Sequence, residues 1–386
     1  MTSISRFRLS PMLPRDPGEQ GRTASTLELF FDLVFVVAVS VAAVNLHHAL
    51  TEGHVLDGIV NYALVFFGIW WAWMNFTWFA TSFDTDDWLY RVLTIVQMGG
   101  VLVLASGIGP VFEEHDFSVL ILAYILMRLA LVAQWLRASR SAGQARQATL
   151  IYAGGITLVQ VLWLASLLLT ESMFFLALVV LVAAELAVPV IAERRGTTPW
   201  HPHHITERYG LFALILLGES LLASANAIIE ALHASDDLAP LISLAALTLI
   251  ATAALWWIYF WPPHHHAIQG FGRSLAYGYG HYIIFAAAGA FSAGIEVEID
   301  VLTGHSDLHQ PWASLAFTVP LAAFVLGIWV LAIRPQADRI VNTVLPLAGI
   351  LVLIDPLIPV PFALTSIILV GAVIVLVWRK PADAEN

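Results

Sequence analysis

The chain has no cysteine and a single lysine, Lys380, among its 386 residues. Without thiols there is no disulfide, no thiolate-held zinc or iron–sulfur cluster and no cysteine nucleophile. Charge is scarce too. Asp, Glu, Lys and Arg make up 12% of the residues, against about 25% in an average soluble domain. The formal net charge of −11 excludes the basic surface on which nucleic-acid binding depends. Gly-x-Ser-x-Gly, P-loop and dinucleotide fingerprints are absent. The sequence therefore reads as that of a non-enzyme, with no cofactor and no metal expected.

What fills the chain is apolar. Hydrophobic residues make up 59% and the mean hydropathy is +0.81, which predicts an all-α polytopic membrane bundle with the lipid bilayer as its first partner. About 20 apolar residues suffice to cross the hydrocarbon core. Twelve such spans are expected, at about 27–50, 56–80, 88–110, 117–138, 147–169, 172–192, 205–230, 238–261, 273–297, 311–333, 339–355 and 357–378. The last two are separated only by a short Pro-rich connection through Asp355-Pro356 and Pro359-Val360-Pro361. Arg6, Arg8, Arg15 and Arg22 precede the first span without the apolar core and cleavage site of a signal peptide.

The sixteen arginines and Lys380 test this count. Lys and Arg collect in cytoplasmic loops. Here they cluster in the leader, in alternate connections (Arg91; Arg137, Arg140 and Arg146; Arg194, Arg195 and Arg208; Arg273; Arg334 and Arg339) and at Arg379-Lys380. Only Arg128, inside the fourth span, departs from the alternation. Both termini are therefore expected in the cytosol, and the opposite face is acidic, with Glu113, Glu114, Asp116, Asp236, Asp237, Asp300 and Asp307.

Features also recur about 180 residues apart: Glu28 and Glu207, Trp70-Trp71 and Trp256-Trp257, Arg91 and Arg273. An even number of spans per half makes the halves parallel, as in transporters with repeats about an axis along the membrane normal. The expected organisation is a flexible cytosolic leader (1–26), a first six-helix repeat (27–195), a cytosolic linker (196–204), a second six-helix repeat (205–380) and a cytosolic tail (381–386).

Intramembrane charge is costly and marks either function or a buried pairing. Glu28 and Asp32 are four residues apart at the entry of the first span, on one helical face. They are either solvated at the headgroup level or functional. Glu219 lies 12 residues beyond Glu207, about 18 Å along a helix, near mid-membrane. Arg128 reaches similar depth from the other side, and its expected partner is Glu219 first and Glu185 second. Trp71, Asn75 and Ser220 are supporting residues in these spans. The clusters His201-Pro202-His203-His204 and His264-His265-His266 read as solvated interfacial residues, because neither contains an i, i+4 helical pair that could grip a metal.

The segments ELFFDLVFVVAVS, WWAWMNFTWFATSFD and ITERYGLFALILLGES resemble hallmark segments of the bacterial low-temperature-requirement A family. GYGHYIIFAAAGAFSAGIEVEI, which contains His281, resembles that family's Gly-His and Gly-rich ninth helix. The resemblance implies a multi-pass protein of the bacterial cytoplasmic membrane, tied to growth in the cold. One departure is Tyr209, where members often carry His. The Phe-Phe-Asp entry of the first span also looks like the Phe-Ser-Asp segment opening each half of six-plus-six potassium channels, although the second half reads Tyr209-Gly210-Leu211.

Three readings follow. In the first, a transporter coupled to a proton or small ion carries Glu28, Asp32, Glu207 and Glu219 on its path, with Arg128, Glu185 and Arg208 as the accompanying charges. In the second, a passive cation channel is lined by spans one and seven. In the third, a non-transporting membrane protein uses these charges as struts. The topology has a direct test. Cysteines introduced at Glu113, Asp236 and Asp307 should label from outside the cell, and cysteines at Ser141, Thr198 and Gln336 should not; reversal at one position breaks the alternation.

Overall fold

The computed structural model describes residues 9–233, 239–358 and 362–381. Arg6, Arg8, Asp236, Asp237, Pro359-Val360-Pro361 and the tail after 381 lie outside the described residues. Among the described residues the regular structure is all helical, with no strand. Ten helices are long and apolar enough to cross a membrane, and they coincide with the first ten expected spans. In order these are α1 (Thr26–Thr51), α2 (Val55–Phe83), α3 (Trp88–Ser106) continued by the short α4 (Ile108–Glu114), α5 (Ser118–Ala138), α6 (Arg146–Ser166), α7 (Glu171–Arg195), α8 (Pro202–His233), α9 (Ala239–Phe260), α10 (Phe271–Thr303) and α11 (Trp312–Ile328). A π-helical turn, Trp329–Ile333, prolongs α11.

The eleventh and twelfth expected spans are shorter. They comprise α12 (Val341–Leu351) with a 3-10 turn at Val352–Leu357, and α13 (Ala363–Trp378). The 16 residues of α13 rise about 24 Å, less than the ~30 Å hydrocarbon thickness. Pro346 inside α12 and Pro356 in the 3-10 turn each remove a backbone donor from a continuous helix.

The fold places oil outside and polar groups inside. On α7, Leu176, Val179 and Val180 are 70%, 65% and 60% exposed, a surface that lipid solvates and water does not. Glu28, Asp32, Arg128, Glu185 and Arg208 are buried.

Residue contacts divide the chain into two compact units. The first holds Met1–Ala38 and Trp71–Arg208, the second Val39–Trp70 and Tyr209–Asn386. In the first, α3 packs on α5, α5 on α6 and α6 on α7. Small residues allow the approach: a Cβ on Gly100 would lie 2.4 Å from Met127 Cγ. Around the C-terminal half of α2 an aromatic core forms, with Phe79 edge-on to Trp135 at 4.7 Å and Trp135 stacked on Tyr152 at 4.2 Å. Residues 9–25 adopt no helix but are tied down. Arg22 donates to the carbonyls of Thr81 (2.6 Å) and Ala80 (3.0 Å), and the Arg15 amide donates to Ser82 O at 2.9 Å. The Thr81 and Ser82 carbonyls are ones the last turn of α2 leaves open, and Ala80 O takes Arg22 in addition to the Asp84 amide, with positive charge at the negative end of the helix dipole.

In the second unit α10 packs on α11, α9 on α13, and α11 on α12 and its 3-10 extension. The α10–α11 contact is backbone-close at Gly294. A Cβ there would stand 2.4 Å from Ala316 O and 2.7 Å from Phe317 Cα. Neither is the tip of a flexible side chain, so the helices would have to part. Gly294→Ala should therefore destabilise the protein by roughly 1–3 kcal/mol, read as a lower unfolding temperature in detergent. Gly371→Ala on α13, where nothing stands within 4 Å of the added Cβ, should not lower it.

Candidate functional site

The first helix begins on a Ser-x-x-Glu sequence, Ser25 to Glu28. The Glu28 carboxylate accepts the Ser25 amide at 2.8 Å, and Ser25 Oγ accepts the Glu28 amide at 3.3 Å. This reciprocal capping box turns the Glu28 side chain back over the helix entry. One turn on, Asp32 faces the same way. Helix α8 starts at Pro202, a residue suited to a first helical position, so His204 and Arg208 are also four apart on one face. The two pairs meet. Arg208 grips Asp32 bidentately (Nε–Oδ2 2.9 Å, Nη2–Oδ1 2.5 Å) and donates Nη1 to Glu28 Oε1 at 2.8 Å. His204 Nε2 lies 3.2 Å from the same Glu28 oxygen, and Trp73 Nε1 donates to Asp32 Oδ1 at 2.7 Å.

This bears on three expectations. Of the two alternatives for Glu28 and Asp32, solvation at the headgroups is excluded, since each is 1% exposed. Arg208, counted both with the arginines of the cytosolic connections and with the intramembrane charges, is a fully buried counter-ion to two carboxylates. The histidine clusters are not uniformly solvated either. His201, His204 and His264 are buried, the first because its Nε2 donates to Glu19 O at 2.9 Å and its Nδ1 accepts the His204 amide. Burial lowers His264 to about 4, so its ring is neutral; it accepts Tyr277 OH at Nδ1 (2.9 Å) and donates from Nε2 to Tyr259 O (2.6 Å). His203 stays exposed. Glu207 is half-buried and accepts the Ala24 amide at 3.1 Å.

A second network lies deeper in the same unit. Arg128 Nη2 donates to Glu185 Oε2 at 2.9 Å, both residues being buried. Trp71 Nε1 donates to the same oxygen at 2.9 Å, and Gln160 Nε2 to Oε1 at 2.7 Å. Arg128 thus pairs with Glu185, the second expected partner, and not with Glu219. Depth along each helix ranked Glu219 first, but depth carries no information about which helices adjoin: α5, α6 and α7 pack consecutively. Trp70, Trp71 and Trp73 are wholly buried, whereas Trp256 and Trp257 are 44% and 42% exposed. Asn75 spends its amide on its own helix, donating to Trp71 O at 2.8 Å.

At the water-side end of this unit, burial and the charge of Glu28 raise Asp84 to about 6 against the opposing pull of Arg15. Asp87 is held low: its burial is outweighed by Arg137 and by the amides of Tyr90 and Ser10.

The second unit treats its carboxylates differently. Glu219 accepts Ser40 Oγ at 2.8 Å, and Glu296 accepts Asn226 Nδ2 at 2.8 Å. Both line a cavity of about 60 Å³, with Ser292 and the apolar Ala43, Val44, Leu222, Ala223 and Ala293 completing the wall. No Lys, Arg or His is among these lining residues. Ser220, beside Glu219, hydrogen-bonds Thr252 at 2.8 Å and its own helix at Leu217 O. His281 is buried, donating from Nδ1 to Tyr277 O (2.7 Å), with Tyr259 OH 3.2 Å from Nε2. Glu296 escaped the sequence reading because the ninth span was ended at 297, which put it at the rim; α10 runs on to Thr303.

The sequence matches the family described as bacterial low temperature requirement A protein (LtrA) over residues 23–378. It is also similar to an uncharacterized protein of Rhizobium meliloti (strain 1021), 26% identical over 246 residues, which is 61% of this chain and 58% of that relative. The alignment thus spans less than two thirds of the relative's length.

Removing one partner of a buried ion pair strands the other charge, at a cost of about 3–5 kcal/mol. Arg208→Met should therefore cause a large loss of thermal stability and of monodisperse protein, and adding Glu28→Gln with Asp32→Asn should recover most of it. Arg91→Met, which breaks the exposed pair with Asp86, should leave the unfolding temperature unchanged.

Proposed function

The chain belongs to the bacterial low temperature requirement A family, and from that premise we propose that it is a secondary transporter coupled to a proton or a small cation, with Glu219 and Glu296 as the carboxylates that take up and release the ion. The observation that carries this reading is the cavity lined by both carboxylates and by no basic side chain. Carboxylates at membrane depth are costly unless paired or put to use. Glu28, Asp32 and Glu185 have arginine partners in the first unit; Glu219 and Glu296 have hydroxyl and amide partners instead.

Size restricts the substrate. A volume of about 60 Å³ admits a few waters or a partly dehydrated cation, one water needing ~10–15 Å³ of such space, and falls well below the ~300–1,000 Å³ of ordinary organic-ligand sites. The available ligands are oxygens: Glu219, Glu296, the Ser40 and Ser292 hydroxyls, and Asn226 Oδ1, since Asn226 Nδ2 already donates. Such a set suits a hard cation or a proton with its hydrating water. In this reading Arg208 with Glu28 and Asp32, and Arg128 with Glu185, hold helices in register, and Glu207 anchors the leader.

The finer architecture forms part of the proposal: twelve crossings as two parallel six-helix repeats, in the cytoplasmic membrane with cytosolic termini. Ten long apolar helices and two shorter ones support the count. A passive cation channel is the second reading, favoured by one feature: α1 and α8, the first and seventh spans, both contribute wall residues to the cavity.

Flux of protons, sodium and potassium into proteoliposomes tests the proposal. The native chain should transport one of them, and Glu219→Gln or Glu296→Gln should reduce flux at least tenfold without altering the unfolding temperature by more than a few degrees. Saturable, gradient-coupled flux identifies a carrier; non-saturating flux identifies the channel. No flux of any of the three ions from correctly folded protein refutes both.

A further inference from the structure

A separate cavity of about 530 Å³ lies in the first unit, where residues 9–12 cross the start of α3 and the end of α5. We propose that it binds one anionic phospholipid, with the phosphate on Arg140 and the acyl chains along Leu89, Leu93 and Leu136.

The cavity is two-faced. One side is formed by Leu89 and Leu93 of α3 and by Ala133 and Leu136 of α5, the other by Arg137, Arg140 and Ser141. Its position explains this. The apolar span of α3 opens at Trp88 and that of α5 closes at Ala138, so the cavity straddles the boundary between hydrocarbon and water. Met12, a buried residue of the leader itself, closes one flank. Leu136 is 46% exposed, open to a chain lying along the helix.

The two arginines have different duties. Arg137 is neutralised by Asp87 and also donates to Ser10 O at 2.8 Å, which pins the leader across the cavity and leaves no charge to spare. Arg140 is exposed and forms no ion pair among the described residues. The mouth therefore carries one uncompensated guanidinium, a group that binds phosphate oxygens through paired donors. The Ser141 hydroxyl stands beside it as a further donor.

The ligand must satisfy both faces. Free phosphate or glycerophosphate would use the arginine and leave the leucine wall to water. A zwitterionic lipid would use the wall but bring its own cation up to Arg140. An anionic phospholipid matches both, as basic pockets between membrane helices do for acidic headgroups. The volume falls within the ~300–1,000 Å³ of ordinary small-molecule sites.

The test uses the full chain, purified and delipidated in a non-ionic detergent, with its unfolding temperature measured against added phosphatidylglycerol, phosphatidylcholine and sn-glycerol-3-phosphate. Phosphatidylglycerol should raise it by several degrees and the other two should not. Arg140→Ala should unfold at the native lipid-free temperature and lose most of the lipid-induced rise. Leu136→Gln, on the wall and away from the charge, should weaken it as well. Equal stabilisation by phosphatidylcholine, full stabilisation by glycerophosphate, or an undiminished rise in Arg140→Ala would each overturn the assignment. The readout involves neither Glu219 nor ion flux, so it stands or falls apart from the transport proposal.

Discussion

A charge inside a membrane protein must be answered by another charge or a dense set of hydrogen bonds, because no water is present to answer it. In the first unit this requirement is met by Arg208. Its guanidinium has donors in a fixed planar fork, and three of them are spent on Glu28 and Asp32. The remaining carboxylate lone pairs take Trp73, His204 and the Ser25 amide. The helix start, the leader and the entry of α8 are thereby bound into one object. A lysine could not substitute, since a point charge cannot hold two carboxylates one helical turn apart in fixed geometry.

The Arg128–Glu185 network obeys the same rule with a different cast. There the carboxylate is saturated by arginine, indole and amide, and the network links α2, α5, α6 and α7. Two such centres, each pairing its carboxylates with an arginine although Arg128 keeps Nε and Nη1 unbonded, contrast with the cavity of Glu219 and Glu296, whose walls offer hydroxyls, an amide and methyl groups. Proteins that move ions need sites where charge is stabilised enough to enter and not enough to stay, and hydroxyl and amide partners supply that intermediate strength where a salt bridge does not.

Much of the fold was legible because a span is a local property. Twenty apolar residues bounded by Arg or Asp announce a helix whatever its neighbours do, so the first ten spans fall within a few residues of their expected ends. The last two were harder: the Pro-rich connection at Asp355-Pro356 was visible, but α-helix gives way to a 3-10 turn at Val352, before that connection, and nothing in the composition marks that point. Partner choice was not legible. Glu28 and Asp32 invited a search for a cation at equal depth, and Arg208 is the seventh residue of α8 as Asp32 is of α1. Starting that helix at 205 instead of Pro202 hid the His204–Arg208 face. Arg128 had two carboxylates within reach of its depth, and only the packing of α5 through α7 selects Glu185. Ser25-x-x-Glu28 was a readable signal, since a capping box needs nothing beyond four residues. Glu296 was visible as a letter but misplaced by a boundary.

The bare glycine contact between α10 and α11 bears on temperature. In water, burial of apolar groups weakens on cooling because their hydration carries a large heat capacity. Gly294 lies against the Ala316 carbonyl within helices that stay surrounded by hydrocarbon whether or not they touch, so association there rests on dispersion and close fit rather than on water release. A joint of that kind has little heat capacity to lose. It should hold as the membrane chills, when a water-driven interface of the same area would loosen.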